Sequence, residues 1–80
     1  MKLELMKSTF CPYCRVVLRE IEDSGRTDVT VSNIDESEEA YRKLVEVGGR
    51  MQVPCLFIDD EPLYESADIV AWLREHPQEA

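Results

Sequence analysis

Hydrophobic and polar positions change their period along the chain in an informative order. Leu3-Glu4-Leu5-Met6 alternates and predicts a short strand. From Pro12 to Asp23 the spacing becomes helical, with Val17 and Ile21 one turn apart and Cys14 and Leu18 on a neighbouring face. Pro12 suits a first helical position, where its missing N–H costs nothing, and Gly25 suits the stop. Val29-Thr30-Val31 is β-branched and alternating, so it predicts a second strand. Asp35 followed by Glu38 is a capping pattern for a second helix, which carries Ala40, Tyr41, Leu44, Val45 and Val47 up to Gly48-Gly49. Val53 to Ile58 predicts a third strand entered through a proline. Asp59-Asp60 makes a turn, and Pro62-Leu63-Tyr64 a short fourth strand. Ser66 is placed to cap a last helix bearing Ile69, Val70 and Leu73, which closes near Pro77. The order is β-α-β-α-β-β-α. Its first half requires two parallel strands with a right-handed crossover. Its second half is a hairpin plus a helix. The economical α/β solution is a four-stranded mixed sheet flanked by helices on both faces.

Eighty residues make a single domain over 1–80 the expectation. Seventeen acidic against nine basic residues leave a net charge of −8, the wrong sign for a nucleic-acid-binding face. No apolar run approaches the roughly 18 residues of a spanning helix, so no membrane partner is expected. Met1-Lys2-Leu3-Glu4 does not read as an export signal, which makes the reducing cytoplasm the expected compartment. Three cysteines are an odd number and too few for a disulfide scaffold. They become candidates for chemistry instead.

Cys11-Pro12-Tyr13-Cys14 sits just after the first strand and opens the first helix. A cysteine there faces unpaired backbone N–H groups and the positive end of the helix dipole. Both favour thiolate over thiol and make the sulfur a better nucleophile. Two intervening residues put the second thiol one turn away, within reach of a mixed disulfide. Cys11, at the helix end, reads as the attacking thiol, and Cys14, inside the first turn, as the resolving one.

In these residues the chain resembles the glutaredoxins of the thioredoxin-like superfamily. Cys11-Pro12-Tyr13-Cys14 is identical to the motif of the dithiol class. Val53-Pro54 before a strand is a second match. Leu63-Tyr64-Glu65-Ser66-Ala67-Asp68-Ile69 is similar to the Glu-Ser segment of the N-terminal domain of glutathione S-transferases. The resemblance implies a thioredoxin-like fold, a cis Val53–Pro54 bond and a glutathione-dependent thiol–disulfide oxidoreductase. Its implied partners are glutathione and disulfide-containing or glutathionylated proteins, with the chain a monomer. It implies that Val53 offers its backbone N–H and C=O to the cysteinyl part of glutathione. Tyr13, Gln52 and Pro54 would line the groove, and Lys7 would reach the site. Ser66 would meet the γ-glutamyl carboxylate, in keeping with a helix N-terminus as an anion site. Either Glu65 or Asp68 would receive the γ-glutamyl amino group. Gln52 stands where the family usually has threonine. Lys7 precedes Cys11 by four residues, where the family lysine precedes by three.

Other readings of the same residues are weaker. A zinc site needs four ligands. Beyond Cys11 and Cys14 the chain offers only Cys55 and His76, in no paired spacing, so no metal is expected. An iron–sulfur carrier bridging two chains and a non-catalytic glutathione-binding module are the rivals from other classes. A third rival keeps the chemistry and draws electrons from thioredoxin reductase. Cys55 reads as a small buried residue on its strand, Phe57 and Trp72 as core, and His76 as a cation near a helix C-terminus. Division of the charge sharpens the picture. Residues 1–19 set Lys2, Lys7, Arg15 and Arg19 against Glu4, and residues 42–58 set Arg42, Lys43 and Arg50 against Glu46. These two net-positive blocks carry Cys11 and Val53-Pro54, whereas the remaining stretches are strongly acidic. A locally cationic face on an acidic body suits a small anion. The apparent KM for a glutathionylated substrate is therefore expected to rise about twofold or more from low salt to roughly 0.5 M salt. A KM independent of salt would count against that face.

Overall fold

A computed structural model describes residues 1–79. The elements are β1 (Leu3–Lys7), α1 (Pro12–Ser24), β2 (Val29–Asn33), α2 (Glu38–Lys43), β3 (Cys55–Ile58), β4 (Glu61–Tyr64) and α3 (Ser66–Glu75). The sheet order is β2-β1-β3-β4. β1 pairs parallel with β2 and antiparallel with β3, and β3 pairs antiparallel with β4. The βαβ half and the hairpin half thus meet at β1, in the middle of the sheet. The predicted architecture of a mixed four-stranded sheet with helices on both faces holds.

Period-two alternation divides the core. Leu3 and Leu5 of β1 and Leu56 of β3 point to one face, where they meet Val17 of α1 and Ile69 and Leu73 of α3. Met6, Cys55, Phe57 and Tyr64 point to the other, against Ala40 and Leu44 of the α2 segment. Phe57 is buried as expected. Trp72 is half-buried, packed against the first cluster and stacked on His76 at 4.2 Å between ring centres. A buried arginine after α1 ties its end to that of α3. The Arg26 guanidinium is buried and forks onto Asp28 at 2.8 and 2.9 Å. It also donates to the Leu73 and His76 carbonyls, both at 3.0 Å, at the C-terminus of α3. Those donations satisfy carbonyls that the helix end leaves free.

Three local expectations change. Asp35 does not cap α2. Ser37 does, its hydroxyl accepting the Ala40 N–H at 3.1 Å. Ser66 is the first residue of α3 and not its cap; the cap position falls to Glu65, at φ 71°, with no side-chain cap bond. Val53 and Pro54 lie outside the third strand, which begins at Cys55. The stretch after α2 also departs from a regular helix: Leu44–Gly48 widens into a π-helical turn ending on left-handed Gly49. Gly48 passes so close to the sheet that an added Cβ would stand 2.5 Å from the Tyr64 hydroxyl and 3.2 Å from Phe57 Cζ. Tyr64 in turn accepts the Arg50 N–H at 3.2 Å and donates to the Arg50 carbonyl at 3.1 Å. These contacts fix the loop that leads into Val53. Gly48→Ala is therefore expected to cost about 1–3 kcal/mol in chemical denaturation, the usual range for an overpacked site. The same change should cost less on a Tyr64→Phe background, where the clashing oxygen is gone. Equal costs on the two backgrounds would exclude the close approach as the cause.

Candidate functional site

The start of α1 builds the centre of the site. Pro12 cannot donate a backbone hydrogen bond, so it sits at the first helical position. Cys11 precedes it with extended backbone angles, φ −128° and ψ 106°, and serves as the N-cap. Its sulfur accepts the Cys14 N–H at 3.3 Å. As a thiol it also donates to the Val53 carbonyl at 3.8 Å, across 42 residues of sequence. Cys11 is half-buried and Cys14 is almost fully enclosed. One sulfur is thus presented and the other shielded, which is the asymmetry the spacing predicts. Tyr13 and Phe10 stand out on either side of Cys11, at 68% and 88% exposure.

The two thiols also differ electrostatically. Burial, and then the hydrogen bond with Cys11, push Cys14 up to about 12, against backbone hydrogen bonding at Ser8 and the nearby Lys7 charge. Cys14 therefore holds its proton at neutral pH. Lys7, at the end of β1, lies near enough for its charge to favour ionisation of Cys14 slightly.

The Val53–Pro54 peptide is cis. Because β3 starts at Cys55, the Val53 backbone groups fall outside the sheet ladder and face Cys11 instead. The next residue back, Gln52, donates its side-chain amide to the Glu65 carboxylate at 3.1 Å. Glu65 leads directly into Ser66 at the start of α3, and its carbonyl takes the Ile69 N–H at 3.0 Å. A continuous path of contacts therefore runs from Cys14 through Cys11, Val53 and Gln52 to Glu65 and Ser66. Asp68, in the first turn of α3, is exposed and enters no hydrogen bond on this path. Cys55 lies on the α2 face of the sheet. Burial pushes its thiol up to about 11, against hydrogen bonding to Tyr64. Among the described residues, no group of three or more His, Cys, Asp or Glu side chains is arranged to hold a metal ion.

The glutaredoxin family model matches residues 3–63. The chain belongs to the glutaredoxin family. A glutaredoxin of Neisseria meningitidis serogroup A is 31% identical over 51 residues, which are 64% of this chain and 60% of that protein. The chain thus spans about 60% of the length of the curated relatives it matches. Glutaredoxin C1 from Populus tremula × tremuloides, solved in its holo form, superposes with a TM-score of 0.67 at 24% identity, over 91% of this chain and 73% of that one. A glutathione S-transferase from Methylobacillus flagellatus, solved with glutathione bound, gives a TM-score of 0.72 at 26% identity, over 95% of this chain and 37% of that one. The thioredoxin-like fold follows from these likenesses. The family match stops before Glu65 and Ser66, the segment that resembles the transferases.

Sequence reasoning missed one group beside the site. Thr9, two residues before Cys11, is held by Asn33 and Asp35 from the end of β2. The available signal was topological: parallel strands end at the same sheet edge, so residues after β2 lie beside those after β1. The thiols themselves generate a pH prediction. Below pH 9, the ordinary cysteine value, Cys14 and Cys55 are protonated in the folded and unfolded chains alike. Between pH 9 and about 11 the unfolded chain releases these protons while the fold retains them, so stability falls as pH rises. Urea denaturation is expected to show a loss on the order of 1–2 kcal/mol per thiol near pH 10.5. The fall should be smaller in Cys14→Ala/Cys55→Ala. Identical falls in both proteins would exclude the thiols as its source.

Proposed function

We propose that the chain is a glutathione-dependent thiol–disulfide oxidoreductase that reduces protein–glutathione mixed disulfides and protein disulfides in the cytoplasm. The observation that carries this reading is the Cys11 sulfur at the cap of α1, between the Cys14 N–H at 3.3 Å and the Val53 carbonyl at 3.8 Å. In the first step the Cys11 thiolate attacks the glutathione sulfur of a mixed disulfide. The protein–sulfur bond breaks, the protein leaves as its thiolate, and Cys11 becomes glutathionylated. A second glutathione thiolate then attacks the bound glutathione sulfur. Glutathione disulfide leaves and Cys11 regains its electron pair. With a protein disulfide, Cys11 forms a mixed disulfide with the substrate. Cys14 then attacks Cys11 and gives up its proton to the departing substrate thiolate or to water. The result is a Cys11–Cys14 disulfide, which two glutathione molecules reduce. Cys14 suits this second role by position: it is enclosed one helical turn from the Cys11 sulfur, and it must lose its proton to attack.

Glutathione would lie along Val53 and reach the start of α3. Val53 lies outside the sheet ladder, so its N–H and, once the Cys11 thiol gives it up, its carbonyl can enter an extended pairing, and Ser66 opens a ten-residue helix whose first N–H groups can meet a carboxylate. Gln52, Pro54 and Tyr13 would form the walls, and Lys7 would add positive charge. Glu65, held by Gln52, would take the γ-glutamyl amino group. The same carboxylates at Glu65 and Asp68 weaken the pull of that helix end on an anion. This favours, as a second reading, a protein reductase as the electron source. An assay coupled to glutathione and glutathione reductase is expected to give turnover, and thioredoxin reductase in its place is expected to give little. Cys11→Ser should fall below about one per cent of wild type on every substrate, because no thiolate remains to attack. Cys14→Ser should retain about half or more of the turnover on a glutathionylated protein and lose most of it on a protein dithiol substrate. Turnover with thioredoxin reductase alone would replace the first reading with the second.

A further inference from the structure

The segment Ser8–Phe10 carries the chain from β1 to Cys11, and its anchor lies outside α1. Lys7 and Asn33 are paired in the parallel ladder, so the loops that follow them leave the same edge of the sheet side by side. Three hydrogen bonds join them, and a fourth lies within the second loop. The Ile34 N–H donates to the Lys7 carbonyl at 2.9 Å. The Thr9 N–H donates to Asp35 Oδ2 at 2.8 Å, and Asn33 Nδ2 donates to Thr9 Oγ1 at 3.1 Å. The Asp35 N–H donates to Asn33 Oδ1 at 2.8 Å, which braces the carboxylate from its own backbone. Asp35 does not cap α2, a role that Ser37 fills.

We propose that Asp35 is a positioning residue for Cys11: braced by Asn33, its carboxylate holds the Thr9 N–H and thereby fixes the Cys11 sulfur at the start of α1. The proposal rests on the redox reading of Cys11 given above. Two effects of the carboxylate oppose one another. Its hydrogen bond fixes the loop and keeps the sulfur at the helix end, which favours the thiolate. Its negative charge acts against that thiolate. Asp35 is exposed, so water and salt screen its charge. The Thr9 hydrogen bond is a short charge-assisted contact of the stronger kind. Position therefore outweighs charge.

The effects separate by substitution in the full chain, read as the rate of Cys11 alkylation by iodoacetamide at neutral pH. Asp35→Ala is expected to slow alkylation about two- to fivefold, the size of one helix-end charge interaction. Asp35→Asn keeps an acceptor oxygen and drops the charge, and is expected to stay close to wild type. Asn33→Ala removes the brace and should also slow the reaction. It carries the comparison if Asp35→Ala does not fold. Urea midpoints measured alongside distinguish a merely structural role, which would lower the midpoint and leave the alkylation rate of the folded protein unchanged. Equal rates in all folded variants, or faster attack in both Asp35 variants, would overturn the proposal. A wild-type chain that turns over no disulfide with either electron source would overturn the proposed function alone and leave the alkylation comparison standing.

Discussion

The donation of the Cys14 N–H to the Cys11 sulfur, at 3.3 Å, is the contact on which the site depends. It makes a cysteine do what Ser, Thr, Asp or Asn does at most helix starts. A hydroxyl or carboxylate at that position would cap the helix and leave no soft nucleophile. With sulfur there, the requirement for a cap and the requirement for a reactive atom fall on the same residue. The rest of the local design follows. Pro12 at the next position removes a donor that would compete and pre-sets the helical φ. Cys14 is carried inward by the helical turn and is shielded by the body of the protein. The Val53 carbonyl meets the sulfur from the other side.

Much of this was readable from sequence because it is governed by local rules. Strand alternation, Pro12 at a helix start, Gly25 at a helix stop and the Asp59-Asp60 turn each depend on neighbours within a few residues. They were placed within a residue or two of the observed bounds. What was not readable depends on residues far apart. Asp35 and Ser37 are both good cap residues, and sequence favours the earlier one through Glu38. The structure chooses Ser37 because the Asp35 carboxylate is engaged 26 residues away, at Thr9. The π-helical turn before Gly49 brings Gly48 up to Tyr64 and Phe57, where no Cβ would fit, a contact no periodicity encodes. Glu65 takes the cap of α3 at positive φ with Gln52 holding its side chain, so Ser66 moves one place into the helix.

The division of the core explains how the third cysteine stays out of the chemistry. Successive residues of β3 point to opposite faces, so Leu56 packs toward α1 and α3, whereas Cys55 packs toward α2 with Met6 and Tyr64. One residue of register separates Cys55 from Pro54, yet the pleat sends its thiol away from the helix that carries Cys11. Its thiol is fully buried there, out of reach of a disulfide in solvent, and burial pushes it up to about 11. Sequence alone shows three cysteines. The sheet sorts them into a presented sulfur, a shielded neighbour and an enclosed core atom.

The same geometry gives the electrostatics of the chain a local meaning. Several acidic residues are already engaged in structural contacts away from the thiols. Glu4 and Asp60 each hold Lys43 at 2.9 Å, with its ammonium 4.8 Å from the centre of the Phe57 ring. Asp28 is forked by Arg26, and Glu20 takes Arg74. Among the described residues Lys7 forms no such ion pair, and its charge favours ionisation of Cys14. A net charge of −8 does not decide the potential at the head of α1, because local neighbours, and not the total, set it. Asp35 is an acid held beside the Cys11 loop. An acid is tolerated in that position when its hydrogen bond to the loop is worth more to the thiolate than its screened charge takes away.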